Sequence, residues 1–226
     1  PDNAIVISAR GITGSINAFA KLDINGNHLW STPGMNSITI GDIAGDNAGN
    51  SYIISGLYGS NTQSTVTKTD PAGAIVWQNN FNLTGFKIEV GSDNLPVVAG
   101  YPNSGSPGSS FIKVNSNGTL LWANPDGDST FAFLAHAMLK LDQFNNIYLA
   151  AGLMTHMGVC RVNSNGTNGW TVTITGSGYA NAIDFGTDNS IYIVGGSASA
   201  GGGMGRIMQP LTPVIGYSNS VPSDNW

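Results

Sequence analysis

The sequence predicts an all-β, five-bladed β-propeller of four-stranded antiparallel blades. Three observations carry that expectation: a repeat of about 45 residues, one hairpin turn recurring in phase with it, and short apolar strands between the turns.

The repeat is read first. Segments 19–30, 66–77, 111–122 and 159–170 align without gaps, each with Lys or Arg at the third position and Trp at the last. Their tryptophans, Trp30, Trp77, Trp122 and Trp170, are spaced 47, 45 and 48 residues apart. A decayed fifth copy begins at 204–208, keeps its cation as Arg206 and loses both turn and tryptophan.

Inside each copy the residues spell a hairpin. Asp23-Ile-Asn-Gly26 reads as a type I turn closed by a left-handed glycine: the first side chain caps the turn, and glycine accepts positive φ. Asp70-Pro-Ala-Gly73, Asn115-Ser-Asn-Gly118 and Asn163-Ser-Asn-Gly166 repeat that chemistry.

Between the hairpins lie apolar runs at 50–56, 95–100, 147–152 and 191–196. Without strict alternation they read as strands buried on both faces. A further strand is expected before each, at 38–46, 86–92, 137–142 and 182–187. Each unit is therefore innermost strand, second strand, third strand with the cation, and outer strand ending at tryptophan.

Residues 3–9 copy a second strand, so the first blade begins in mid-pattern. Ser223-Asp-Asn-Trp226 echoes Ser92-Asp-Asn-Leu95, which places 218–223 as the C-terminal strand that completes the first blade and closes the ring. The expectation is one domain over 1–226. The start at Pro1, without methionine, reads as a processed form, an excised domain or part of a longer protein.

Composition narrows the function classes. Hydrophobic residues make up 41% and mean hydropathy is +0.01, enough for a core. Charged residues are only 9%, and a net charge of -5 without a basic run argues against nucleic acid or anionic membrane as a partner. No apolar stretch approaches the ~20 residues of a membrane-spanning helix. A single cysteine, Cys160, excludes an internal disulfide and any multi-cysteine metal site.

The pattern Lys-x-Asp-x-x-Gly-x-x-x-Trp, carried by Lys21, Asp23, Gly26 and Trp30 and by Lys68, Asp70, Gly73 and Trp77, resembles the β-propeller repeats of many secreted bacterial proteins. Lys113, Gly118 and Trp122, then Arg161, Gly166 and Trp170, continue it, with Asn115 and Asn163 replacing the aspartate. These repeats look similar to those of quinoprotein propellers. The resemblance implies the fold and leaves adhesion, glycan binding and protein binding open.

Each chemistry-bearing group has a structural reading beside a functional one. The tryptophans, at one slot per blade, fit packing between blades better than sugar platforms. Lys21, Lys68, Lys113, Arg161 and Arg206 fit stems lying on the blade with heads paired to turn acids or carbonyls. Glu89, Lys140 and Asp184, of mixed sign on innermost strands, are positioned to neutralise one another. His28, His136 and His156 show no metal-ligand spacing, and no cofactor is expected. No catalytic triad or phosphate-binding glycine loop is visible.

Binding residues are expected on the face carrying the longer loops, 57–64, 79–85, 101–110, 124–136 and 196–203. The candidate ligand contacts are Tyr58, Asn61, Tyr101, Asn103, Asp126, Asp128, His156 and Tyr179. Phe131 and Phe133 form an apolar patch in the same set. The functional expectation is a non-catalytic extracellular binding or adhesion module for a glycan or protein ligand. The alternative is a structural component of a virion or other surface assembly. A quinone-dependent oxidoreductase ranks last.

Overall fold

The computed structural model describes residues 5–10, 16–36, 39–56, 63–102, 110–125, 137–153, 156–175, 178–197 and 201–207. These residues form eighteen strands in five antiparallel sheets, each a meander in chain order, and no helix occurs among them. The first sheet holds β1 (Ile5–Arg10), β2 (Ile16–Leu22) and β3 (His28–Asn36). The second holds β4 (Thr39–Gly45), β5 (Ser51–Gly56), β6 (Ser64–Thr69) and β7 (Ile75–Phe81). The third holds β8 (Leu83–Val90), β9 (Pro96–Pro102), β10 (Ser110–Val114) and β11 (Leu120–Asn124). The fourth holds β12 (Met138–Leu141), β13 (Ile147–Leu153), β14 (His156–Val162) and β15 (Asn168–Thr175). The fifth holds β16 (Tyr179–Phe185), β17 (Ile191–Ser197) and β18 (Gly201–Ile207).

The three central sheets carry the expected order of four strands. The first and fifth depart from it, with three strands each among the described residues. The first opens on the second strand of the pattern. The outer strand of the fifth would fall in 208–226, outside the described residues, as does the segment 218–223 expected to close the ring. Among the described residues no ladder joins the fifth sheet to the first.

The outer hairpins and the inner hairpins use one turn. In the outer hairpins the amides of Gly26, Gly73, Gly118 and Gly166 donate to the carbonyl three residues back, and these glycines have φ of 83° to 89°. The first side chain supports the loop: the Asp23 and Asp70 carboxylates each accept amides two and four residues ahead at 2.8–2.9 Å. A register shift falls at the cation or just after it in each case, as expected for a turn closed by a bulge. The inner hairpins repeat the hydrogen bonding with Gly49, Asn94, Asn145 or Asn189 in the left-handed position. Asparagine tolerates this conformation better than other residues with a side chain.

Strands buried on both faces explain the unbroken apolar runs. On β9, Val98 packs toward the second sheet with Tyr52, Ile54 and Val66, while Val97 and Ala99 pack toward the fourth with Leu139, Ile147 and Leu149. On β13, Ile147, Leu149 and Ala151 face the third sheet, and Tyr148 and Ala150 face Ile183, Ile191 and Ile193 of the fifth. From the second to the fifth, neighbouring sheets thus share one core per junction, in the manner of stacked blades. Removal of one such side chain, Leu149→Ala for example, costs about 2–5 kcal/mol.

The outer edge is closed by tryptophan. The Trp30, Trp77 and Trp122 indole N–H groups donate to the carbonyls of Pro71, Ser116 and Ser164, each in the outer turn of the next sheet. A Cβ placed on Gly73, Gly118 or Gly166 would lie 2.5–2.8 Å from the preceding indole, so only glycine fits beneath it. These tryptophans join sheet to sheet, as their recurrence suggested.

Two segments expected as long loops are ladders. Residues 79–85 belong to β7 and β8, separated only by Asn82. Phe81 and Leu83 are buried, and the Gly85 amide donates to Ser64 Oγ at 2.7 Å, which holds the crossing tight. Of 196–203, the described residues are paired, with Gly196 opposite Gly202 and Ser197 opposite Gly201, and 198–200 lie outside the described residues. A Cβ on Gly195 would fall on the Tyr179 carbonyl, so β17 uses glycine to approach β16.

Candidate functional site

Of the eight expected ligand contacts, Tyr101, His156 and Tyr179 fall among the described residues. Tyr58, Asn61, Asn103, Asp126 and Asp128, with Phe131 and Phe133, lie outside the described residues. His156 is not in a loop: it is the first residue of β14, opposite Leu153 and Thr175. Tyr101 sits in β9 opposite Thr84, half-buried, its ring 5.1 Å from that of Phe86 and packed on the core between the third and fourth sheets. Tyr179 starts β16, two sheets away, against Gly152.

The opposite face carries the turns, and there the inner turns are laced together. Between the second and third sheets, Asn94 Oδ1 accepts the Asn47 amide at 3.1 Å. Between the third and fourth, Asn145 Oδ1 accepts the Ser92 amide at 2.8 Å and its hydroxyl at 3.1 Å, while that hydroxyl also lies 3.2 Å from the Gln143 carbonyl. The equivalent residue of the fifth sheet, Asn189, has the same left-handed φ of 62°, yet its side chain makes no hydrogen bond among the described residues. A cleft of about 530 Å³ opens at this junction.

Its walls follow from local sequence. The fourth-sheet turn supplies Leu141, Asp142, Gln143, Phe144 and Asn146, with Tyr148 and Arg161 from the strands behind; the fifth supplies Phe185, Gly186, Thr187 and Asn189. Phe185 holds the place before the turn where the other sheets have Gly45, Val90 and Leu141. Its ring meets that of Tyr148 edge-on at 5.1 Å and stands between the two turns. Phe144 is at the third turn position, 69% exposed, where the third and fifth sheets have Asp93 and Asp188.

That exchange changes the electrostatics. In the third sheet Lys113 Nζ lies 2.6 Å from Asp93 Oδ2, and in the fifth Arg206 pairs with Asp188. The Ser190 hydroxyl and amide, with Arg206 behind them, hold the Asp188 carboxyl down to about 2. In the first sheet Lys21 Nζ donates to the Gly49 carbonyl at 3.2 Å. In the second, Lys68 lies over the Tyr52 ring at 5.2 Å. In the fourth, Arg161 Nε donates to Tyr148 Oη at 3.2 Å and Nη1 to Asn163 Oδ1 at 2.8 Å. Arg161 has no ion-pair partner among the described residues. The one turn carboxylate, Asp142, is occupied by the amides of Phe144 and Asn146, the Asn146 side-chain amide and the Tyr148 hydroxyl.

The innermost strands hold a separate charged set. Lys87 and Asp42 lie 3.6 Å apart, and Lys140 and Asp184 3.4 Å apart. Burial pushes the Glu89 carboxyl above its usual range, against the pull of Lys140. Among the described residues no three His, Cys, Asp or Glu side chains gather to hold a metal ion.

No family model matches the sequence, and no curated protein is similar to it. Solved structures are similar in fold. A Bacteroides caccae protein of unknown function superposes with TM-score 0.60 at 12% identity, covering 95% of this chain and 72% of its own. The Dos1 propeller gives TM-score 0.58 at 11% identity, over 84% of this chain and 49% of that one. The fold is propeller-like. A Bacteroides fragilis protein described as a candidate 6-phosphogluconolactonase gives TM-score 0.56 at 15% identity, over 99% of this chain and 69% of its own. At such identities the likeness extends to the fold alone.

Phe144, Phe185, Arg161 and Asn189 were absent from the expected contacts. Their signal lay in the inner turns, which align as the outer ones do: an exposed phenylalanine at a position otherwise Ala or Asp, and a phenylalanine just before the next turn.

Proposed function

We propose that the chain is a non-catalytic binding module whose cleft between the fourth and fifth sheets takes a glycan. The observation that supports this is one constellation where two inner turns meet the strands behind them. The Phe144 and Phe185 faces stand beside Arg161, Gln143 and Asn189, whose side chains supply planar hydrogen-bonding groups. Sugar rings present apolar faces edged with hydroxyls, and such a set answers both features. The low charge content fits a protein working at an extracellular surface. The finer architecture proposed is a ring of five blades, with 218–223 completing the first. Deletion of 208–226 then lowers the melting temperature sharply; an unchanged transition would rule that strand out.

The test of function is a glycan array. Micromolar binding to a defined glycan, weakened at least about tenfold in Phe144→Ala, supports the proposal. Silence across the array with wild-type protein would overturn it.

A second reading, a structural component of a virion or other surface assembly, is favoured by the outer rim. There Leu29, Ile75, Val76, Leu120 and Leu121 are about half exposed on successive outer strands. Native mass spectrometry distinguishes the readings: a defined oligomer lost on Leu121→Ser supports assembly, and a monomer argues against it.

A further inference from the structure

We infer that the ligand of this cleft carries a carboxylate and that Arg161 reads it; this step rests on the glycan reading above. Of the five cations at the repeated strand position, two meet an acid of their own sheet, Lys113 with Asp93 and Arg206 with Asp188. Lys21 reaches a carbonyl, and Lys68 a tyrosine ring. Arg161 is the one that lines the cleft, and it does so where the acid found in the neighbouring turns has become Phe144.

The guanidinium is held but not neutralised. Tyr148 and Asn163 take Nε and Nη1, which fixes the plane of the fork; Nη2 has no partner among the described residues. Asp142 does not supply the missing charge, since four donors already surround its two oxygens. Asp188 and Asp184 are taken by Arg206 and Lys140. A carboxylate entering the cleft therefore meets an oriented cation, with the Gln143 and Asn189 amides beside it and two aromatic rings for the body that bears it. A planar, oriented guanidinium suits a carboxylate better than it suits a lone hydroxyl. The class indicated is an acidic sugar of the uronic acid type.

The experiment compares trigalacturonic acid with its methyl ester by calorimetric titration, for wild type, Arg161→Gln and Arg161→Lys. The ester keeps the ring and removes the charge. Wild type is expected to bind the acid at least about tenfold more tightly than the ester, as a hydrogen bond to a charged group requires. Arg161→Gln should bring the two within about twofold, by loss of acid affinity alone. Arg161→Lys should fall between, and it guards against a Gln variant that fails to fold. Equal wild-type affinity for acid and ester overturns the inference and leaves the glycan reading standing. A full acid preference retained in either variant overturns it too. No binding of either form, with the array also silent, overturns both.

Discussion

Two junctions between neighbouring sheets share one turn geometry and differ in what they do with it. Where the third and fourth sheets meet, Asn145 adopts φ 61° and ties its turn back to Ser92. Where the fourth and fifth meet, Asn189 adopts φ 62° and ties to nothing, and a cleft stands between the turns. The backbone is therefore not the cause. The difference lies in Phe185, whose ring meets Tyr148 in the cleft, and in Phe144, which stands where the third and fifth sheets pair an aspartate with their cation; Arg161 has no ion-pair partner among the described residues. In a repeat protein the repeated residues hold neighbours together, and the exceptions are where a surface becomes available for something else.

The comparison can be tested at decreasing scale. Trp122→Ala strikes the closed junction at its outer edge. It removes a half-buried indole and its hydrogen bond to Ser164. The expected loss is about 2–3 kcal/mol, roughly 5–10 °C in melting temperature. Affinity per folded molecule at the open cleft should not change, and a loss of affinity in still-folded protein would contradict the structural role.

Next, Asn145→Ala and Asn189→Ala remove the same side chain from the same conformation. Both lose the tolerance of asparagine for positive φ, so their difference isolates the bonds to Ser92. Asn145→Ala should be the more destabilising by about 1–2 kcal/mol in urea unfolding. Equal losses would mean that the lacing contributes nothing.

The smallest effect is in acid. Asp188 titrates at about 2 in the folded protein against an ordinary 3.8, so its contribution is complete above pH 3.8 and is lost as pH falls towards 2. Asp188→Asn should be less stable than wild type at pH 5, and the two melting curves should converge by pH 2. Parallel curves across that range would contradict the Ser190 and Arg206 contacts. The opposite sign is expected of Glu89, which burial holds above its usual 4.5. Its ionised form is the disfavoured one in the fold, so Glu89→Gln should raise the melting temperature at pH 7, with the gain disappearing below about pH 4.5.

Much of the fold was legible because its chemistry is repeated. The outer turns give the same Asp/Asn and Gly positions four times, and the cation and tryptophan fix the strand order around them. The mixed signs of Lys140 and Asp184 likewise end in contact. The misread stretches have physical causes. Asn79, Asn80 and Asn82 look like loop residues, but the first two lie on an outer strand, where polar side chains face water. Gly201, Gly202 and Gly203 look like loop residues, but β18 uses them as strand opposite β17. The bulges in β4, β8 and β16 left no mark, since their extra residues, Gly41, Phe86 and Asn181, share no residue type. The cleft was hidden for a different reason. It arises from what Phe144 and Phe185 displace, and a displaced contact is visible only beside the junctions that keep it.

The most direct test of the cleft is amide chemical-shift mapping of the 15N-labelled protein during titration with trigalacturonic acid. Perturbations confined to 141–148, 161 and 185–189 are predicted. Perturbations centred on Tyr101 and Tyr179 at the opposite face, with 141–148 unmoved, would contradict it.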